Sequence, residues 1–194
     1  MTTIEKPPPV SPRLLVLAGD DFGAEVARRP LGTSSTTVID VAAGTHASLW
    51  PYADLIVVAG SREQHRVSEA VDAVAFIRGI PWLGLFVRGT DLQVGPVVVP
   101  GRTACYRCFV KRRDQHSRPD AVALAPRGPV QAPSGYTRHH VGVAAGMVRA
   151  AVREALNPHE ITGLGATVWV ANQLTTSLSR MSVVAVDDCS RCSA

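Results

Sequence analysis

Hydrophobic residues in the first half of this chain gather in short unbroken runs. Arg13-Leu-Leu-Val-Leu-Ala18 and Asp54-Leu-Ile-Val-Val-Ala59 have the pattern of strands buried on both faces of a parallel sheet. Between them, Thr36-Thr-Val-Ile-Asp-Val41 is rich in β-branched residues and predicts a further strand. Ala24 to Arg29 predicts a short helix that Pro30 ends. From Glu63 to Arg78 the period changes, with apolar residues at Val67, Ala70, Val71, Val74 and Ile77, the three-and-four spacing of an amphipathic helix. Pro81 to Val87 and Gln93 to Val99 read as strands again. Strand, helix and strand in this order predict an α/β fold with a doubly wound sheet.

The second half is less regular. Residues 111–138 mix Arg, Pro, Gly and Ser without a period and predict a crossing loop of a length that compact domains seldom carry without a function. From His139 to Leu156, the residues Val143, Met147, Val148, Ala151, Val152 and Leu156 share one face of a helix that Asn157-Pro158 stops. Such a face suits a core or an isologous dimer. Thr167 to Ala171, Gln173 to Leu178 and Met181 to Val186 predict three antiparallel strands. The expected organisation is a Pro-rich arm over residues 1–12 and one domain over 13–194, with no internal repeat.

Composition narrows the function classes. With 194 residues, 46% of them hydrophobic, the chain can bury a full core. The net charge of +4 raises the question of nucleic acid, but aromatic residues make up only 5% and no base-stacking or groove-reading motif is present. The basic residues Lys111, Arg112, Arg113, Arg118, Arg127 and Arg138 concentrate in one segment, which reads as a solvated loop or as a surface for an acidic partner. No apolar run reaches the roughly 18 residues of a membrane span. The start Met-Thr-Thr-Ile-Glu-Lys-Pro-Pro-Pro lacks a signal-peptide core, so the expected compartment is the cytoplasm.

The candidate chemistry lies in four cysteines, placed as Cys105-Tyr-Arg-Cys108 and Cys189-Ser-Arg-Cys192. A Cys-x-x-Cys turn brings two thiolates to one ion, and two such turns fill the tetrahedral positions of a structural Zn²⁺ site, leaving none for a catalytic water. Two disulfides, or a redox pair, are the other readings of the same residues, and the expected compartment disfavours the former. As metal ligands Cys105, Cys108, Cys189 and Cys192 would tie the chain end back to its middle. His139 and His140 are adjacent in a helix, where neighbouring side chains diverge by about 100°, so a surface cap fits them better than a shared ion.

The segment Leu92-Gln-Val-Gly-Pro-Val-Val-Val-Pro-Gly-Arg-Thr-Ala-Cys-Tyr-Arg-Cys108 resembles the strand and zinc knuckle of ThiF-type, ubiquitin-activating-like adenylating proteins. Gly95-Pro96, Pro100-Gly101 and the knuckle are more similar still to the ThiF-like partner proteins of YcaO cyclodehydratases, and Asp187-Asp-Cys-Ser-Arg-Cys192 matches the closing knuckle of that family. The resemblance implies a Rossmann-like ThiF-type sheet with a C-terminal antiparallel extension closed by a four-cysteine zinc site. It also implies a role beside a YcaO enzyme that makes azolines in a ribosomal precursor peptide, and a tendency to homodimerise.

Where the chain departs from the pattern, the implied activity changes. ThiF-type enzymes hold ATP on a Gly-rich turn after the first strand, and here that turn is Gly19-Asp20-Asp21-Phe22-Gly23, with two carboxylates beside the expected polyanion. The Asp-Asn pair of active members corresponds to Ser61 and Arg62, which offer no carboxylate to Mg²⁺. Arg66 stands near the place of the family's phosphate-facing arginine. Asp40 stands where a ribose-binding acid would, or caps the turn after its strand. No thiol is spare for a thioester. The expected protein therefore binds no ATP and catalyses nothing itself, and supports a YcaO enzyme and presentation of the precursor. An active adenylating enzyme and a zinc-stabilised scaffold are the alternatives. Larger members carry an N-terminal module that captures the leader peptide as an added strand; with the first strand at Arg13, leader binding is expected to come from a separate protein, from another surface of this one, or not at all.

Overall fold

In the computed structural model, residues 12–32, 35–116, 135–157 and 165–192 are described. The elements run β1 (Arg13–Ala18), α1 (Asp21–Ala27), β2 (Ser35–Asp40), a 3₁₀ turn (Ala47–Leu49), β3 (Leu55–Ala59), α2 (His65–Arg78), β4 (Trp82–Arg88), β5 (Asp91–Val98), α3 (Tyr106–His116), α4 (Arg138–Leu156), β6 (Ala166–Asn172) and β7 (Ser177–Val183). The strands form one mixed sheet in the order β2-β1-β3-β4-β5-β6-β7. Its β2 to β4 half is parallel and its β4 to β7 half antiparallel.

The period-two alternation of each strand sorts its side chains between two cores. Leu14, Val16, Leu55, Val57, Leu83 and Leu85 face α1 and α4. Leu15, Leu17, Ile56, Val58, Trp82 and Phe86 face α2 and α3. Helices thus cover both faces, which explains why β1 and β3 read as unbroken apolar runs. β2 and β7 form the sheet edges and are mostly exposed.

α4 turns Val141, Ala144, Met147, Val148, Ala151, Val152 and Ala155 into the first core. Each fully buried Val or Met contributes roughly 1.5–3 kcal/mol. The apolar face that also suited an isologous dimer is therefore spent on the sheet. At its start Thr137 accepts the His140 N–H at 3.2 Å, and the His140 imidazole Nδ1 accepts the Thr137 N–H at 3.4 Å, a reciprocal cap.

Several expectations need correcting. α1 begins at Asp21, not Ala24, because Asp20 caps it. α3 continues to His116 through Lys111, Arg112 and Arg113, where the sequence pattern predicts a loop; its few apolar positions, Tyr106, Phe109 and Val110, still reach the second core. The basic residues in its last turn suit the negative helix end. The rest of that expected loop up to residue 134, with Arg118 and Arg127, lies outside the described residues, as does nearly all of the Pro-rich arm. The three expected C-terminal strands are two. Asn172 Oδ1 accepts the N–H groups of Leu174 and Thr175 at 3.0 and 2.9 Å and turns the chain at 173–176.

One glycine of the signature segment has a steric reason. Gly95 has φ of 120°, and a Cβ there would lie 2.5 Å from the Thr167 carbonyl oxygen. It sits at the irregularity where β5 shifts register against β6.

Candidate metal centre and the crevice at the strand ends

Cys105 immediately precedes α3 and Cys108 lies in its first turn, so the first knuckle is set on a helix N-terminus, which favours thiolates. The second knuckle follows β7 and returns beside it. The chain between them is held by Arg112, whose guanidinium donates to the carbonyls of Val184 and Ala185 at 3.5 and 3.1 Å, and by the Val186 N–H, which points at Cys108 Sγ at 3.3 Å. Ala104, Ala166, Val183, Ala185 and Val186 complete an apolar surround.

All four sulfurs lie within 4.8 Å of one another. Cys105 to Cys108 is 3.7 Å, Cys105 to Cys189 is 3.6 Å and Cys108 to Cys192 is 3.4 Å. Sulfurs about 2.3 Å from a tetrahedral ion stand roughly 3.8 Å apart, so the cluster has the size of a four-thiolate metal site. None of the four cysteines is joined in a disulfide, the first two being buried and the last two half-buried, and four sulfurs grouped around one centre suit a metal ion better than two separate disulfides. Burial pushes the Cys105 thiol up strongly and raises Cys192 to about 11. Burial also opposes ionisation of Cys189, but N–H groups of Arg191 and Cys192 and the neighbouring thiols outweigh it and bring it to about 6.

The strand order reverses between β1 and β3, because β1 leads outward to β2 while β3 leads to β4. In sheets of this kind ligands enter the crevice at the carboxyl ends of two such strands. Here that crevice is stitched across. The Asp20 carboxylate accepts the Gly23 N–H of α1 at 3.0 Å through one oxygen, and the N–H and hydroxyl of Ser61 at 2.7 and 2.5 Å through the other. Beside it the Gln64 amide lies on Gly19, so closely that a Cβ at Gly19 would stand 2.6 Å from Gln64 Nε2. Gly23 keeps the role of close helix–strand approach, since a Cβ there would run into the Ala59 carbonyl oxygen.

The sequence-level candidates thus separate. Asp20 and Ser61 come together, whereas Asp21, Arg62 and Arg66 are exposed. Asp40 accepts the Ala42 N–H at 2.8 Å, the turn cap that its position allowed.

A cluster not found from sequence joins the loop after β3 and the start of α2 to α3. The Tyr106 hydroxyl, buried, donates to Glu63 at 2.7 Å and lies 2.8 Å from His65 Nδ1. Arg113 Nη1 reaches both Glu63 oxygens at 2.8 and 2.6 Å. Glu63, His65 and Arg113 border a cavity of about 470 Å³ with Phe86 and Val87. Burial, then Glu63, pushes the Tyr106 phenol up, so it stays a donor. The partners are 43 and 50 residues apart in sequence, and no spacing rule relates them.

No protein-family model matches the sequence, and no curated protein does. Solved structures do match in fold. The heterocyclase TruD superposes with a TM-score of 0.64 at 20% identity, over 94% of this chain and 28% of its own. A heterocyclase in complex with substrate and cofactor gives 0.67 at 16% identity, over 94% and 26%. E. coli MccB with MccA gives 0.59 at 14% identity, over 94% and 67%. The chain thus spans little more than a quarter of either heterocyclase. The likeness establishes a Rossmann-like, ThiF-type α/β fold, in agreement with the mixed seven-stranded sheet. Among the described residues no helix is long and apolar enough to cross a membrane.

Proposed function

We propose that this chain is a ThiF-like accessory subunit of an azoline-forming peptide cyclodehydratase, supporting a YcaO enzyme and the presentation of its precursor peptide without chemistry of its own. The observation that carries this reading is the Asp20–Ser61 clasp. An adenylating enzyme of this fold needs the α1 N-terminus bare for a phosphate. In this chain a carboxylate of the protein already satisfies it and is tied across the crevice to Ser61. A phosphate entering there would displace Asp20 and then face its charge, which opposes binding by about 1–4 kcal/mol at contact distance.

In this reading Cys105, Cys108, Cys189 and Cys192 hold a structural Zn²⁺, whose contribution is to fold the C-terminal segment onto α3. The similarity in fold to two heterocyclases and to MccB supports the peptide-modification context. The contribution to catalysis is positional, since holding a substrate segment against an enzyme removes entropy from the barrier.

Calorimetric titration of the zinc-loaded protein with MgATP, followed by reconstitution with a YcaO enzyme and a precursor peptide, tests the proposal. No heat with MgATP, together with stimulated azoline formation in the mixture, is the expected result. Saturable micromolar MgATP binding would instead establish an adenylating enzyme. A chain that neither binds MgATP nor affects azoline formation would be a scaffold of another kind.

A further inference from the structure

Three arginines line the outer side of the α1/α4 layer. Arg29 follows α1, and Arg138 and Arg149 lie on α4; all three are exposed, and none has an ion pair among the described residues. Of the acids near them among the described residues, Glu25 is already paired with Arg28 and Asp20 is tied to Gly23 and Ser61, which leaves Asp21, whose charge acts on Tyr136 at one end of the row. The arginines border a groove of about 890 Å³ between the two helices.

Gly142 and Gly146 form the floor of this groove on α4, and a Cβ added at either would meet nothing within 4 Å. Their i, i+4 spacing leaves one strip of bare helix backbone facing outward. Tyr136 stands at one end with its ring centroid 5.3 Å from that of Phe22, and Arg149 stands at the other beside Gly32.

We infer that this groove is a docking site for an extended, acidic peptide segment. Charge complementarity selects the sign of the occupant, and the spread of the charges selects its form. Arg138 and Arg149 are eleven positions apart on one helix, a span of about 16 Å. A single phosphate cannot bridge that distance, whereas about five residues of extended chain do, with alternate side chains facing the same wall. A second copy of this chain is disfavoured as occupant, because an isologous contact would set like charges against each other. The bare glycine strip admits the backbone of the segment, and the arginines take its carboxylates, in bidentate pairs where the geometry allows. The inference stands independently of the cyclodehydratase reading, since it concerns the chemistry of a bound segment and not its owner.

Fluorescence anisotropy with fluorescein-labelled hexaglutamate at low ionic strength tests it, with hexaglutamine and a six-nucleotide single strand as comparison probes. Saturable binding of hexaglutamate alone is expected, weakening steeply with salt. The double variant Arg138→Gln/Arg149→Gln should weaken it about tenfold or more. The double variant Gly142→Leu/Gly146→Leu changes no charge, and a Cβ at either position meets nothing, so it should fold with a melting temperature no lower than the parent's and still block binding. Lys111→Glu, on α3 at the opposite face of the sheet, should leave binding nearly unchanged. Hexaglutamine binding as tightly, the oligonucleotide binding more tightly, unaltered affinity in the leucine variant, or loss of binding in Lys111→Glu would each overturn the inference.

Discussion

Asp72 and Arg191 form an ion pair that joins the middle of α2 to the closing knuckle, 119 residues away in sequence. The Asp72 side chain is wholly buried and that of Arg191 nearly so. The same carboxylate accepts the Tyr106 N–H at 3.2 Å and the Trp82 indole N–H at 3.1 Å. One acid therefore grips the residue after Cys105 and the residue before Cys192, holding both knuckles in register independently of any metal. Burial works against the charge of Arg191, but Asp72 more than offsets it and holds the guanidinium firmly protonated.

Asp72→Ala should accordingly destabilise the protein by about 2–4 kcal/mol, because it strands two N–H donors and leaves the Arg191 guanidinium with Glu69 alone, at 3.6 Å. Urea denaturation of the metal-loaded protein measures this. A loss under about 1 kcal/mol would mean that Arg191 finds solvent at no cost and that the pair is incidental.

Metal uptake should depend on pH with a definite sign. With Cys105 raised and Cys192 near 11, both thiols are protonated in the metal-free protein at neutral pH, while Cys189, near 6, is largely ionised. Zn²⁺ binding must displace the bound protons, so affinity rises with pH and falls as the solution is acidified. Titration in buffers of different ionisation enthalpy should show net proton release, and its absence would refute the tetrathiolate assignment. Cys189→Ser should abolish tight binding and speed amide exchange in β7 and the segment after it, since β7 is an exposed edge strand with little packing of its own. β1, β3 and β4, buried between two helical layers, should be unaffected.

Asp20→Ala should cost about 1–2 kcal/mol, from loss of the α1 cap and of two hydrogen bonds to Ser61. It should not create MgATP binding, because Gln64 still lies over Gly19. Thermal melts and calorimetry read the two effects separately. Strong MgATP binding by Asp20→Ala would identify the carboxylate as the sole barrier and Gln64 as displaceable.

What the sequence discloses follows from how local each cause is. The runs at 14–18 and 55–59 announce strands because burial on both faces leaves no position for a polar residue. The two knuckles are legible because a pair of thiols three residues apart is a fixed local spacing, and the fold brings the two pairs together. Asp20 is half legible: as a residue type in that turn it signals repulsion of a phosphate, and only the fold shows that it also caps α1 and reaches Ser61, 41 residues away. α3 is hard to see because five of its eleven residues are charged and only Tyr106, Phe109 and Val110 carry its apolar contact with the second core. Asp72 looks like the polar side of an amphipathic helix, and only its tertiary partners make it a buried acid.

The same non-local logic gives a graded test at Tyr106. Its ring packs between Trp82 and Phe109, at centroid distances of 5.7 and 5.9 Å, with the His65 ring at 6.0 Å, and its hydroxyl meets Glu63 and His65. Tyr106→Phe keeps the packing and leaves Glu63 with Arg113, so it should cost about 1 kcal/mol. Glu63→Ala removes the acceptor of both the hydroxyl and a guanidinium whose side chain is only 16% exposed, and should cost about 2–4 kcal/mol. The double variant should cost less than the sum, because the hydroxyl has no carboxylate to lose once Glu63 is gone. Denaturation of the two single variants and the double closes the cycle. Strict additivity would show that the hydroxyl and the carboxylate, though 2.7 Å apart, are not energetically coupled and that Arg113 alone holds Glu63 in place.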